Sequence, residues 1–110
     1  MKQSGYIVVL ITAKDAGEAQ EIAEKLLKSR QAACVTIVPE VDSQYWWQGR
    51  LDAARESLLI VKSREARLPD IIKSVKQIHS YDLPEIIALP VVGGSGDYLD
   101  WIDVETKHEA

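Results

Sequence analysis

Two short runs decide what this chain can fold into. Tyr6-Ile7-Val8-Val9-Leu10-Ile11 and Leu58-Leu59-Ile60-Val61 are apolar at every position. The first is short, rich in β-branched residues and bounded by polar ones, which reads as a strand, and the second lies in a like strand from Ser57 to Lys62. A strand with one wet face alternates apolar and polar residues, and these do not, so both faces call for burial. The rest of the chain must cover one face of their sheet, and something else must cover the other.

The first cover is legible. Asp15, with Glu18 three residues on, forms a capping-box signal ahead of Ala19, Ile22, Ala23, Leu26 and Leu27, an apolar face at helical spacing. Glu18, Glu21, Glu24, Lys25 and Lys28 fall on the wet side, with Glu21–Lys25 and Glu24–Lys28 as i,i+4 pairs. Leu68, Ile71, Ile72, Val75 and Ile78 repeat that period in a second helix, whose first turn tolerates Pro69. Further strands are read at 33–38 and at 86–92. The segment Tyr45-Trp46-Trp47-Gln48-Gly49-Arg50-Leu51 reads as a bent ribbon turning near Gly49, and residues 97–102 read as a short helix with Ser95 as its cap. From Thr106 onward the chain reads as a polar, frayed tail.

The order is β-α-β-β-α-β with an added ribbon and a C-terminal helix. It predicts an α+β fold of the ferredoxin-like split βαβ type, in one domain spanning residues 1–110, with both helices on one face of an antiparallel sheet. Two helices leave the second face bare, and a chain of 110 residues has nothing left to close it except another copy of itself. The aromatic surface of Tyr45, Trp46 and Trp47 suits such an interface. A homo-oligomer is expected.

Composition narrows the function. The formal net charge is −4 with no Lys/Arg cluster, which disfavours nucleic acid and an anionic membrane surface as partners. The longest apolar run is too short to span a bilayer, so no membrane insertion is expected. A single cysteine, Cys34, excludes an intrachain disulfide and points to a reducing, cytoplasmic location.

Chemistry-bearing residues concentrate in His79-Ser80-Tyr81-Asp82-Leu83-Pro84-Glu85, at the mouth of the last strand. His79, Tyr81, Asp82 and Glu85 have the chemistry for acid–base work or a metal, or equally for a solvated turn. His79 directly follows the second helix, where an imidazole is favourably placed at the C-terminus. Cys34 reads as a small buried hydrophobe, or as a soft thiolate for copper or zinc if His79 or another donor joins it. Lys62 and Arg64 suit an ion pair or a small anion. Gly93-Gly94-Ser95-Gly96 lacks the Lys-Ser/Thr of a phosphate loop and reads as a turn. No Ser-His-Asp spacing, CxxC or HExxH occurs, and no enzyme is expected.

The motifs Ala32-Ala33-Cys34-Val35, Tyr45-Trp46-Trp47-Gln48-Gly49-Arg50, Ser57-Leu58-Leu59-Ile60-Val61-Lys62, His79-Ser80-Tyr81-Asp82-Leu83-Pro84-Glu85-Ile86 and Tyr98-Leu99-Asp100-Trp101-Ile102 resemble, in order, those of the CutA divalent-cation-tolerance family. The resemblance implies a ferredoxin-like subunit in a tight homotrimer similar to the PII signalling proteins, with a cytoplasmic, non-catalytic role in tolerance of copper and other divalent cations. No cofactor is required, and copper or zinc is the metal implied, at Cys34 and His79 with Glu85 as a further candidate ligand. It also implies an inter-subunit cleft at Tyr45, Trp47, Lys62, Tyr81 and Glu85. The alternative it carries is a PII-like scaffold binding a small anion or metabolite there, which Lys62 and Arg64 favour. Two departures bear on the metal. Ile11 stands where some members have a second cysteine, and Ser80 replaces the usual proline after the histidine, which predicts a looser turn.

Overall fold

The computed structural model describes residues 5–107. Strand β1 (Tyr6–Ala13) leads through helix α1 (Ala16–Lys28) to β2 (Cys34–Trp47), which turns back as β3 (Arg50–Arg64). A single 3-10 turn, Glu65–Arg67, opens α2 (Leu68–Ile78), followed by β4 (Ile86–Pro90) and α3 (Gly96–Lys107). The sheet runs β2-β3-β1-β4 with every neighbouring pair antiparallel. β1 and β2 are therefore parallel with β3 inserted between them, and β3 and β4 are parallel with β1 between them. This is the split βαβ order that the sequence predicts.

Side-chain alternation divides the sheet. Ile7, Val9 and Ile11 of β1 and Leu59 and Val61 of β3 pack against Ala19, Ile22 and Leu26 of α1 and Ile71 and Val75 of α2. On the opposite, open face, Leu10 pairs with Ile60 and Ile87, and Val8 with Lys62 and Leu89. Neither α1 nor α2 covers that face, and Ile87 and Leu89 are 51% and 48% exposed. The two-sided apolar pattern of β1 and β3 thus corresponds to one face buried in the core and one laid open.

The ribbon proves to be the outer ends of β2 and β3, closed by Gln48 and Gly49 at φ 51° and 79°. Positive φ at both central residues is what a two-residue type I′ hairpin turn requires. Partway along, pairing steps from Val38↔Leu58 to Val41↔Glu56, so β2 carries one residue more than β3. This bulge sits at Pro39, which has no N–H to donate to the ladder, and Ser57 Oγ ties it by donating to the Pro39 carbonyl at 2.6 Å. Beyond it the odd-numbered residues Val41, Ser43, Tyr45 and Trp47 share the open face with Glu56 and Asp52.

Other expectations shift. β4 stops at Pro90 rather than reaching residue 92, and α3 runs past Ile102 to Lys107. Thr106 is fully buried rather than frayed. Its hydroxyl donates to the Ile102 carbonyl at 2.8 Å and accepts from Arg64 Nε at 2.8 Å, while its carbonyl accepts from Arg64 and Arg67. Residues 108–110 of the expected tail lie outside the described residues. Glu24–Lys28 pairs as expected, at 2.6 Å, whereas Lys25 reaches instead to Gln77 of α2 at 2.7 Å.

Candidate functional site

Asp15 caps α1 as its sequence predicts, Oδ1 accepting the Glu18 N–H at 2.8 Å. Glu18 departs from the expected wet side. Its carboxylate is buried and turned towards the segment between α2 and β4, accepting the Lys14 N–H at 3.0 Å and the Ser80 N–H at 2.9 Å. Burial pushes this carboxyl up, but the Lys14 and Ser80 donors outweigh it and hold it below the ordinary value. The Ser80 N–H would not exist in a proline, so the departure at this position ties the turn down rather than loosening it.

His79 ends α2, and its ring is wholly buried. Nδ1 accepts the Tyr81 N–H at 3.0 Å, which leaves the proton on Nε2 to be donated to the Thr12 carbonyl at 2.7 Å. The approach of Glu18 to Nδ1, at 3.9 Å, is not an ion pair in this tautomer. Both ring nitrogens are committed, so His79 acts here as a tie between β1 and the α2–β4 segment. A metal at either nitrogen would displace one of these bonds.

That tie sets the next side chain. The Tyr81 ring leans on His79, centroids 4.8 Å apart, and its hydroxyl donates to Glu56 Oε2 of β3 at 2.9 Å. Burial and the Glu56 carboxylate push the Tyr81 phenol well up, so it stays a donor at any physiological pH. Glu85 is also raised, by burial and by the negative charge of Glu56. Tyr81 and Glu56 belong to the wall of a cleft of about 650 Å³ at one end of the open face. Tyr45, Trp46 and Trp47 of the ribbon form one side of it. Asp52 and Glu56 of β3 and Asp82 and Glu85 from the α2–β4 segment also line it, and among the described residues no Lys or Arg does.

Cys34 lies elsewhere. It pairs with Lys62 in the row of Val8, four residues along β1 from Thr12. At ~3.3 Å per residue the His79 contact is some 13 Å away along the strands alone. Cys34 also faces the open side of the sheet, whereas His79 packs on Glu18 of α1. Lys62 Nζ reaches Cys34 Sγ at 3.7 Å and donates to Thr36 Oγ1. Tyr98 of α3 closes this group, its phenol raised by burial and by Cys34.

Of the sequence-predicted cleft residues, one chain thus brings together Tyr45, Trp47, Tyr81 and Glu85 but not Lys62. Of the predicted metal ligands it sets Cys34 apart from His79. Among the described residues no group of three or more His, Cys, Asp or Glu side chains is arranged to hold a metal ion. Sequence reasoning missed Glu56, Asp52 and Thr12 in the cleft. Glu56 sits two residues before Leu58 at the alternation of the open face, a signal present in β3 itself, whereas the β2 residues that share its face become readable only once the bulge is known.

No described helix is long and apolar enough to cross a membrane. Residues 7–105 match the family model described as CutA1 divalent ion tolerance protein. The chain is 42% identical over 101 residues to the chloroplastic protein CutA 1 of Oryza sativa, covering 92% of this chain and 57% of that protein, so it spans little more than half the length of this plant relative. To the divalent-cation tolerance protein CutA of Thermus thermophilus it is 44% identical, over 90% of this chain and 96% of that one. The solved structure of the periplasmic divalent cation tolerance protein CutA from Archaeoglobus fulgidus superposes with a TM-score of 0.89 at 40% identity, over 92% of this chain and 98% of that one. With its strand order, its motifs and these matches in agreement, the chain belongs to the CutA divalent-cation tolerance family.

Proposed function

We propose that this chain is a non-catalytic divalent-cation tolerance protein that works as a homotrimer, each copy covering the open sheet face of another, in a reducing, cytoplasmic setting. The observation that carries the reading is the row of Val8, Leu10, Ile60, Ile87 and Leu89 on a face that neither α1 nor α2 covers. Ile87 and Leu89 on this face are about half exposed, and Tyr45 and Trp47 on the same face of the ribbon are exposed too, large apolar side chains that an assembly would take out of water. Equilibrium sedimentation at micromolar concentration is the test. A species near three times the 12.3 kDa chain mass supports the reading, and the chain mass alone overturns it.

Copper or zinc binding is the finer part of the proposal. Cys34 is the soft donor, half-buried beside Lys62 on the face that assembly would close, so further ligands would come from another copy rather than from His79 of the same chain. Titration with Cu(I) under reducing conditions, beside Cys34→Ala, Glu85→Gln and His79→Ala, assigns the ligands. The acidic lining of the cleft argues against a small anion as its occupant.

A further inference from the structure

The resemblance to the CutA family gives His79 the part of a metal ligand, and the surroundings of its ring give it another. At Nε2 the Thr12 carbonyl oxygen stands 2.7 Å away. Zinc–nitrogen and zinc–oxygen bonds are each about 2.0–2.2 Å long, so an ion between those two atoms would need them roughly 4 Å apart. At Nδ1 the lone pair is taken by the Tyr81 N–H, at 3.0 Å. The nearest carboxylate is no freer, because Glu18 Oε1 accepts the Lys14 N–H and Oε2 the Ser80 N–H. Drawing Nδ1 and Glu18 onto one ion would strand three backbone donors around a ring that has no exposed surface. The ring does not fit a metal ion.

It does fit the turn that follows it. A side-chain acceptor on one residue taking the N–H two residues on is the bond that closes an Asx turn, and here Nδ1 makes it. The N–H between, that of Ser80, goes to Glu18, so two successive donors of the segment are held, one from α1 and one from the end of α2. The opposite ring nitrogen reaches β1. A neutral imidazole supplies both halves of this arrangement, an acceptor on one side and a donor on the other.

We propose that His79 is a positioning residue and not a metal ligand: its Nδ1 holds the Tyr81 backbone in an Asx-type turn, and its Nε2–H fixes that turn to β1 through Thr12. The proposal does not rest on the metal reading. Any copper or zinc that the assembly takes up at Cys34 is held without this ring.

The test uses the assembled full chain, with Zn²⁺ and, under reducing conditions, Cu(I) as probes. Asparagine at position 79 keeps an acceptor for the Tyr81 N–H and loses the imidazole, whereas alanine loses both. The Tyr81 amide should exchange about tenfold faster or more in His79→Ala than in the parent, and His79→Asn should recover most of the difference. Nitrogen NMR of the ring should place the proton on Nε2, with both ring signals unmoved by Zn²⁺. Metal affinities of both variants should match the parent's within about threefold. Metal binding weakened about tenfold or more in His79→Ala and His79→Asn alike would overturn the proposal. So would a ring nitrogen taking the shift of a zinc-bound imidazole, or Tyr81 exchange as fast in His79→Asn as in His79→Ala. Where His79→Ala does not fold, the parent's ring spectrum and the asparagine variant decide. A parent that binds neither ion removes the metal reading of Cys34, and the exchange and ring measurements still decide this one.

Discussion

Replacing Glu18 with alanine tests the most consequential polar contact in the molecule. The carboxylate is 7% exposed and accepts two backbone N–H groups, from Lys14 at 3.0 Å and Ser80 at 2.9 Å. Hydrogen bonds to a charged acceptor contribute about 1.5–3 kcal/mol each. Alanine would strand both donors while opening space for water to recover part of the loss, and its better helix propensity returns only a few tenths of a kcal/mol. The net cost should be about 3 kcal/mol, or roughly a hundredfold in the opening equilibrium of the segment that carries Ser80 and Tyr81. Amide hydrogen exchange reads this directly: the Ser80 N–H should exchange about a hundredfold faster, while amides at the centre of β1 change far less. The sign with pH follows from the lowered carboxyl. Glu18 contributes its stabilisation above the unfolded-state value and loses it as pH falls through the folded-state one, so parent and variant should converge in acid. Ser80 exchange within about threefold of the parent at neutral pH would refute the claim that this carboxylate holds the segment in place.

Glu85 should show the opposite slope. Its carboxyl is raised by burial and Glu56, so the folded state holds the proton more tightly and the parent loses stability relative to Glu85→Gln as pH rises above 4.5, checked by urea midpoints across that range. Gln48→Asn, at φ 51°, should raise the urea midpoint by the equivalent of about 0.5 kcal/mol, because asparagine tolerates the left-handed conformation better. Leu59→Ala, at a fully buried position between sheet and helices, should cost about 2–5 kcal/mol by the same measurement.

The strand order and both long helices were legible because their signals are local: an Asp15 cap, a 3.6-residue period, apolar runs of strand length. The bare second face was legible too, since β1 and β3 have no polar alternation to spend on water. Glu18 was misassigned to the wet side because helical spacing cannot register that a segment sixty-two residues away presents the Ser80 N–H to it, beside the local donor at Lys14. The pairing of Cys34 with His79 likewise relied on residue chemistry, while their distance apart depends on which strands and rows separate them. The cleft was half legible. Its aromatic and Glu85 members stand out in the sequence, but which β2 side chains share a face with Glu56 depends on the pairing register of β2 against β3, which the bulge alters without leaving more than a proline as its mark.

The ribbon beyond that bulge has a bearing on how such a chain can change over generations. A residue lost from β2 alone between Val38 and Val41 would only remove the bulge: with the turn holding Trp47 opposite Arg50, Val41 stays opposite Glu56, and the ladder loses its local kink while Tyr45 and Trp47 keep their face. Losing one residue from each strand between the bulge and the turn acts differently. The partners stay matched, but every side chain beyond the change moves to the other face, carrying Tyr45 and Trp47 away from the side of Glu56 and bringing Gln44 and Trp46 onto it. Paired length variation in the ribbon is therefore a switch for the character of the cleft, able to replace its contents wholesale in a step that no single substitution could match.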